Sequence, residues 1–290
     1  MEQKILRQNE LEILKNFLLN YNPENIFVIR GKHSFYSSGA ELFLMQNLDV
    51  SKIISFYDFN PNPKIEDLKK GIKIFKTNFS KNSNNRLIIA IGGGSVLDMG
   101  KLISVLAHQN ESIEDIVSEK ANIENIKTTL LAIPTTAGSG AEATHFAVLY
   151  IGNTKYSIKH ELIQPDYVYL SPEFNLPENK YLATCSGIDA LCQAFESVWS
   201  VKANEESLQY ALQAAEMPWN NLYKAIFEKN KTAKEIIQEA SFLAGKAINI
   251  SETTAPHAIS YSFTSYYNIP HGHAVAISLP FFLNYNYNIT

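Results

Sequence analysis

The sequence predicts an α/β domain built on a parallel sheet over residues 1–177, followed by an all-α domain over residues 178–290. Two patterns and the chain length carry this. The first half alternates short apolar runs with helical patterns: NIFVIRG, KIISFYDF, PKIEDLKKGIKIFKTNF, RLIIAIGGGS, VLDMGKLISVLAH and TTLLAIPTTAGSG. Such runs, each leading through a Gly-rich or polar turn into a helix, are the pattern of βαβ units whose strands are covered on both faces. Residues 178–250 read instead as a nearly continuous series of helical periods, among them DALCQAFESVWSV, ESLQYALQAAEMPWNNLYKAIFE and KEIIQEASFLAGKAINI. At 290 residues the chain is long enough for two cores, since single cores stop growing at about 250–300 residues.

One further element lies between these stretches. HFAVLYIGNTKYSIKH alternates apolar and polar positions on either side of Gly152-Asn153, the pattern of a β-hairpin.

Composition narrows the function classes. With 46% hydrophobic and 19% charged residues the chain reads as a soluble globular protein, and its net charge of -4 offers no basic footprint for nucleic acid or an anionic membrane. The start, MEQKILRQNELEILKNFLLN, scatters charges through an amphipathic pattern, which fits neither a signal peptide nor a membrane span, and no later run is long enough to span. A cytoplasmic location is the expectation. Cys185 and Cys192 match no CxxC or zinc-knuckle spacing and read as reduced core thiols.

Two turns are candidates for phosphate binding. LIIAIGGGSVLDMGK runs a buried strand into Gly92, Gly93, Gly94 and Ser95 and then a helix. Glycines there let the backbone approach a diphosphate, while the helix N-terminus attracts its charge and Ser95 offers a hydroxyl. Taken alone, this is equally the sequence of a tight turn. IPTTAGSGAE repeats the arrangement after the next strand with Thr135, Thr136 and Ser139, and paired turns at strand ends are where a doubly wound sheet holds an extended nucleotide. The first strand ends in Arg30-Gly31-Lys32, with no carboxylate for a ribose 2′-hydroxyl and two cations for a 2′-phosphate, which favours NADPH over NADH. The other reading of Arg30 and Lys32 is a pair of solvated turn charges.

A metal site is the second candidate. Asp189 and Gln193, in SGIDALCQAFES, are spaced i and i+4 and share one helix face, and His257 in TTAPHAISY and His271 in IPHGHAVA lie later in the chain. One carboxylate, two imidazoles and a further oxygen donor suit a divalent first-row ion such as Fe²⁺ or Zn²⁺. The competing reading is a capping carboxylate and two satisfied core histidines.

The motifs GGGSVLDMGK, IPTTAGSGAE, GIDAL, the His257 context and PHG, in this order, resemble the iron-containing (group III) alcohol dehydrogenases over essentially the whole chain. The resemblance implies a dinucleotide-binding domain and a helical domain of dehydroquinate synthase-like architecture, with a metal in the cleft between them. It implies Gly92, Gly93, Gly94 and Ser95 on the pyrophosphate, Thr135, Thr136 and Ser139 along the nucleotide, and Asp98 and Lys155 near the nicotinamide ribose, with Gly31 in the same cofactor-binding set. Asp189, His257 and His271 would be metal ligands, with Gln193 as the fourth.

Within the family, GAEATHFAVLY, KYSIKHELIQPDY, ALCQAFESVWSV and TTAPHAISY are most similar to the phosphonoacetaldehyde reductase branch. That implies reduction of a small phosphonate-bearing aldehyde to 2-hydroxyethylphosphonate. Thr144, His145, Lys155 and His160 of the hairpin would meet the dianion. The family departures are Gln193 and Tyr261, both at positions where histidine is usual, and an end after SLPFFLNYNYNIT, where family chains continue with further helices. The expected reaction is NADPH- or NADH-linked reduction at the metal, with Tyr261 or His273 relaying the proton. Alternatives are a dehydrogenase for unphosphorylated short-chain alcohols or diols, a lyase related to dehydroquinate synthase, and a shortened, inactive nucleotide-binding homologue. A small aldehyde or alcohol is the expected partner, and a homodimer one candidate assembly.

Overall fold

The apolar runs that lead into Gly-rich or polar turns are strands in the computed structural model, which describes residues 3–7, 11–79, 85–124, 126–175 and 179–288. The first unit contains β1 (Lys4–Arg7), α1 (Leu11–Tyr21), β2 (Asn25–Arg30), α2 (Ser34–Ser37), α3 (Ala40–Asn47), β3 (Ile53–Phe56) and α4 (Ile65–Asn78). It continues with β4 (Arg86–Gly92), α5 (Gly94–Leu106), α6 (Ile113–Val117), β5 (Thr129–Pro134), β6 (Phe146–Ile151), β7 (Thr154–Lys159) and β8 (Tyr167–Leu170). The second unit is helical, with α7 (Lys180–Trp199), α8 (Glu205–Phe227), α9 (Lys231–Ser251), α10 (Ala255–Tyr267) and α11 (His271–Tyr287). Compactness groups residues 136–143, the turn after β5, with these helices rather than with the sheet. No helix among the described residues is long and apolar enough to cross a membrane.

Six strands form one parallel sheet in the order β1-β8-β5-β4-β2-β3. Its central strands are apolar at nearly every position because both faces are covered. Leu14, Leu18, Ile89, Ile91 and Tyr169 belong to a core on one side. Phe27, Phe56, Phe75 and Phe79 stack into a separate aromatic cluster. Each such buried ring contributes roughly 1.5–3 kcal/mol over leaving it in water. After β2 the chain steps outward to β3, then returns past β2 to β4. The order of strands therefore reverses between β2 and β4, and the crevice at their carboxyl ends is the topological switch point of an open α/β sheet. Register places Arg30 beside Ile91, and Gly31 N–H donates to Ile91 O (3.3 Å), so the first strand end lies against the glycine turn after β4.

The expected hairpin is present: β6 and β7 pair antiparallel, with Ile151 opposite Thr154 across Gly152-Asn153. In the helical unit, asparagines supply the N-caps. Asn179 Oδ1 accepts from Tyr181 N–H and Leu182 N–H, Asn230 Oδ1 accepts from Ala233 N–H, and Asn204 forms a reciprocal capping box with Ser207. Cys185 and Cys192 are buried free thiols, and burial pushes both thiols up in pKa.

Candidate functional site

The glycine turn of the first unit is built by steric demand. A methyl group at Gly92 would sit 2.5 Å from the Val96 side chain, so only glycine lets β4 turn directly into α5. Gly93 is the N-cap of α5, and the N-terminal N–H groups of α5 begin at Gly94 and Ser95. Ser95 Oγ accepts from Asn62 N–H (3.0 Å), tying the loop after β3 to this turn. Thr135 N–H donates to Gly92 O (3.0 Å), and the buried Thr135 hydroxyl has no hydrogen-bond partner. An anion acceptor arriving at the strand ends would meet helix N–H groups and that hydroxyl.

Asp98 and Lys101 form a buried pair behind the turn. Lys101 is fully buried; its Nζ lies 3.6 Å from Asp98 Oδ1 and donates to Thr144 Oγ1 (2.8 Å) and Phe146 O (2.5 Å). Asp98 Oδ2 accepts from Val148 N–H (3.1 Å). Burial pushes the Asp98 carboxyl up, against the pull of the Lys101 charge and of the more distant Lys155. The pair therefore bolts the base of the hairpin to α5.

At the end of β2, Arg30 and Lys32 behave differently. Lys32 is solvated, 3.9 Å from Asp58. Arg30 is buried, with its guanidinium 3.9 Å from the Tyr57 ring centroid, 4.8 Å from that of Phe35 and 5.1 Å from that of Tyr36. Desolvated cation–π contact is worth about 2 kcal/mol. Arg30 is thus held in an aromatic cage rather than being a solvated turn charge.

The four hairpin residues expected to meet a dianion are dispersed in role. Thr144 is buried beneath Lys101, and His160 Nδ1 accepts from Leu162 N–H (3.2 Å) to cap a short 3-10 turn. His145 lies edge-on to Phe146, with ring centroids 6.4 Å apart, and Lys155 pairs with Tyr150 in the strand register.

Residues 136–143 belong with the helices. A methyl group at Gly138 would lie 2.7 Å from Ser186 O, and one at Gly140 (φ +58°) 2.5 Å from Gly245 Cα. Close packing on α7 and α9 accounts for both glycines. Thr136 is exposed, and Ser139 O accepts from Gln193 Nε2 (3.4 Å).

In the helical unit, α7, α10 and α11 bring Asp189, His257 and His271 together with their ligand atoms within 4.8 Å of one another. His257 Nε2 lies 3.4 Å and His271 Nε2 3.8 Å from Asp189 Oδ1. A tetrahedral ion with bonds near those of zinc spaces its ligand atoms about 3.4 Å apart. Asp189 and His257 are buried, whereas the His271 side chain is 40% exposed, so the cluster is open on that side. His257 Nε2 makes no hydrogen bond, and neither does the buried Gln193 Oε1, although Gln193 Nε2 donates to Asp189 Oδ2 (3.3 Å). One carboxylate, two imidazoles with buried or half-buried Nε2 atoms, and an unbonded amide oxygen fit a divalent first-row ion.

Local structure explains the convergence. Pro270 caps α11 so that His271 opens the helix, and Gly272 lets it approach α7: a methyl group there would lie 2.0 Å from Cys185 O. Ser260 Oγ donates to His257 O (2.7 Å) and lies 3.4 Å from His271 Nδ1. The Tyr261 ring stacks on His271, with centroids 6.2 Å apart. His273 follows His271 by two residues, roughly 200° around the helix. It is exposed, with Nδ1 2.8 Å from Tyr181 Oη. Of the two expected proton relays, Tyr261 is brought to the cluster, and His273 is engaged by Tyr181.

One functional neighbour went unread in the sequence. Glu196 is fully buried; its Oε1 bonds His257 Nδ1, and its Oε2 accepts from Thr254 N–H (2.6 Å) and Thr254 Oγ1–H (2.9 Å). The signal was available, because Glu196 follows Asp189 by seven residues and lies on the same helix stripe. Burial opposes a charged His257 ring, but the facing carboxylates of Asp189 and Glu196 outweigh it and lift its pKa to about 9. The same two carboxylates that attract a proton there would attract a metal cation.

Comparison with known proteins matches both parts of the chain. Residues 2–172 fit the family model described as iron-containing alcohol dehydrogenase, and residues 183–290 fit the C-terminal model of the Fe-containing alcohol dehydrogenase family. The long-chain-alcohol dehydrogenase 1 of Geobacillus thermodenitrificans (strain NG80-2) is 30% identical over 233 residues, covering 79% of this chain and 58% of its own. The phosphonoacetaldehyde reductase of Streptomyces viridochromogenes is 31% identical over 210 residues, 69% of this chain and 53% of its own. The chain thus spans little more than half the length of these relatives. The crystal structure of sulfoacetaldehyde reductase from Bifidobacterium kashiwanohense in complex with NAD+ superposes with a TM-score of 0.87 at 26% identity, covering 99% of this chain and 75% of that one. The match runs from the strands that carry the glycine turn through the helices that carry the two histidines, and on it the chain belongs to the iron-containing alcohol dehydrogenase family.

Proposed function

We propose that the chain is the catalytic part of a metal-dependent, NADPH- or NADH-linked oxidoreductase that reduces a small aldehyde to a primary alcohol. The convergence of Asp189, His257 and His271 within 4.8 Å carries this reading. In it these three residues hold Fe²⁺ or Zn²⁺, with Gln193 Oε1 as fourth donor, and Gly92, Gly93, Gly94, Ser95 and Thr135 receive the pyrophosphate. When bound, the ion supplies Lewis acidity to a carbonyl oxygen and the nicotinamide supplies the hydride. The chain's own groups orient and protonate. Asp189 is steadied by the Gln193 amide, the half-exposed side of His271 would admit the substrate, and the Tyr261 phenol, whose ring stacks on that of His271, would pass a proton to the product oxygen. A phenolic O–H is a proton donor, which suits the acid role that aldehyde reduction requires.

Two readings of the substrate remain, each with its own support. A C2 aldehyde bearing a phosphonate is supported by the likeness to phosphonoacetaldehyde reductase, and an anionic C2 aldehyde in general by the likeness to sulfoacetaldehyde reductase. A neutral short-chain aldehyde is favoured by the engagement of the buried Thr144 with Lys101, which occupies one of the four groups assigned to the anion. The deciding experiment follows reduced-nicotinamide absorbance with phosphonoacetaldehyde and with propanal. A site built for a dianion should prefer the former by about 10⁴-fold in kcat/KM. Comparable values support the neutral substrate, and no oxidation of the cofactor with either aldehyde, in zinc- or iron-loaded protein, overturns the oxidoreductase reading.

A further inference from the structure

Glu196 stands outside the group of metal donors yet its carboxylate bonds one of them, His257, directly. A carboxylate taken wholly out of water is costly unless its lone pairs are occupied. Here Oε1 bonds His257 Nδ1, while Oε2 accepts from Thr254 N–H (2.6 Å), Thr254 Oγ1–H (2.9 Å) and His257 N–H (3.5 Å). Oε2 thereby serves as the N-cap acceptor that the Thr254 side chain does not provide for α10. The turn feeding α10 is itself strained. Glu252 adopts φ 60°, ψ 175°, a region that is essentially glycine-only, and its side chain pairs with Lys202 (2.7 Å). Asp189 and Glu196 are on the same helix, so α7 positions both the first metal donor and the group that grips the second.

We propose that Glu196 is a positioning residue: one carboxylate caps α10 and accepts the His257 Nδ1 proton, fixing the tautomer and ring orientation that turn His257 Nε2 toward Asp189. The inference rests on the metal-site reading above. In the neutral ring that a metal requires, the opposite tautomer would bring the Nδ1 lone pair against a carboxylate lone pair, so the contact selects Nδ1–H and leaves Nε2 as the donor atom once its proton is displaced. Glu196→Gln fails in either amide orientation. With its oxygen toward His257, the NH₂ faces the Thr254 N–H; with its NH₂ toward His257, the ring is driven to Nε2–H, which cannot bind a metal.

The test uses the full chain and zinc as the probe, with affinity read by competition against a chromophoric chelator. Glu196→Gln is expected to weaken zinc binding by about 10- to 100-fold, the usual consequence of losing such a partner. The second measurement needs no substitution: ¹⁵N shifts of the His257 ring in the zinc-loaded chain should show a protonated Nδ1 and a metal-bound Nε2. A folded Glu196→Gln variant with unchanged zinc affinity, or a ring whose Nε2 carries the proton, overturns the proposal. Absence of zinc binding by the unsubstituted chain overturns it together with the metal site. Zinc binding with the expected ring spectrum but no aldehyde reduction supports it and removes only the oxidoreductase reading.

Discussion

Gly272 approaches Cys185 so closely that a single added methyl group would stand 2.0 Å from the Cys185 carbonyl oxygen and 2.9 Å from the Asp189 Cβ. The glycine of the PHG motif is therefore the point of closest approach at the start of α11, ahead of the apolar packing of Val275 and Leu279 around Cys192, and it bears on how near His271 comes to Asp189. Gly272→Ala must push the two helices apart. The expected result is a destabilisation of about 1–3 kcal/mol in denaturant unfolding, with reduced zinc content after dialysis. A variant with wild-type stability and zinc content would show that α11 has slack at this point.

Removing a metal donor should separate chemistry from nucleotide binding. Asp189→Ala or His257→Ala is expected to lower kcat by about a thousandfold or more, since Lewis-acid stabilisation amounts to several kcal/mol. NADPH affinity, measured by fluorescence titration, should stay at the wild-type value, because the glycine turn after β4 is built by other residues. An active alanine double mutant that contains no metal would end the metal-dependent reading.

The buried pair in the first unit predicts a stability effect. Lys101→Met leaves the Asp98 carboxyl, the Thr144 hydroxyl and the Phe146 carbonyl without their shared cation. Breaking a buried pair from one side costs about 3–5 kcal/mol, which urea unfolding would register. The double variant Lys101→Met, Asp98→Asn should recover part of that loss.

His108 makes the fold sensitive to acid. Burial, together with the charges of Arg86 and Lys76, lowers its pKa from 6.5 to about 4, and its Nε2 bonds Thr128 Oγ1 (2.7 Å). The unfolded chain therefore takes up this proton first. No penalty exists above pH 6.5; it grows as the pH falls toward 4 and is complete below that. Discounted for partial exposure, the loss is about 2 kcal/mol. Unfolding midpoints across this window should fall less steeply for His108→Gln than for the wild type.

The glycine turn, the longer parallel strands and the residues proposed as metal donors were legible in the sequence because each rests on local chemistry. Four to seven apolar residues ahead of a glycine run, repeated between helical patterns, read as buried strands, and Asp189 and Gln193 share a face by helix geometry alone. The short strands β1 and β8, of four residues each, were not legible. KILR reads as part of an amphipathic stretch, and YVYL becomes a strand only when Lys4–Arg7 and Leu131–Ala132 pair with it.

Side-chain roles divided in the same way. That a cation stands at the end of β2 follows from the residue Arg30; that three aromatic rings enclose it depends on where Phe35, Tyr36 and Tyr57 fold. The glycines of IPTTAGSGAE look like a second phosphate turn, whereas close packing on α7 and α9 is what excludes a side chain from Gly138 and Gly140.

By itself, then, the sequence determined the long helices, the strands other than β1 and β8, the family, and the donor atoms available to a metal, since these follow from periodicity and residue chemistry. Only the tertiary structure decided which groups meet. Contacts between residues far apart in sequence, such as Glu196 with His257 or Gly272 with Cys185, are set by how whole helices pack, and no local pattern encodes that distance.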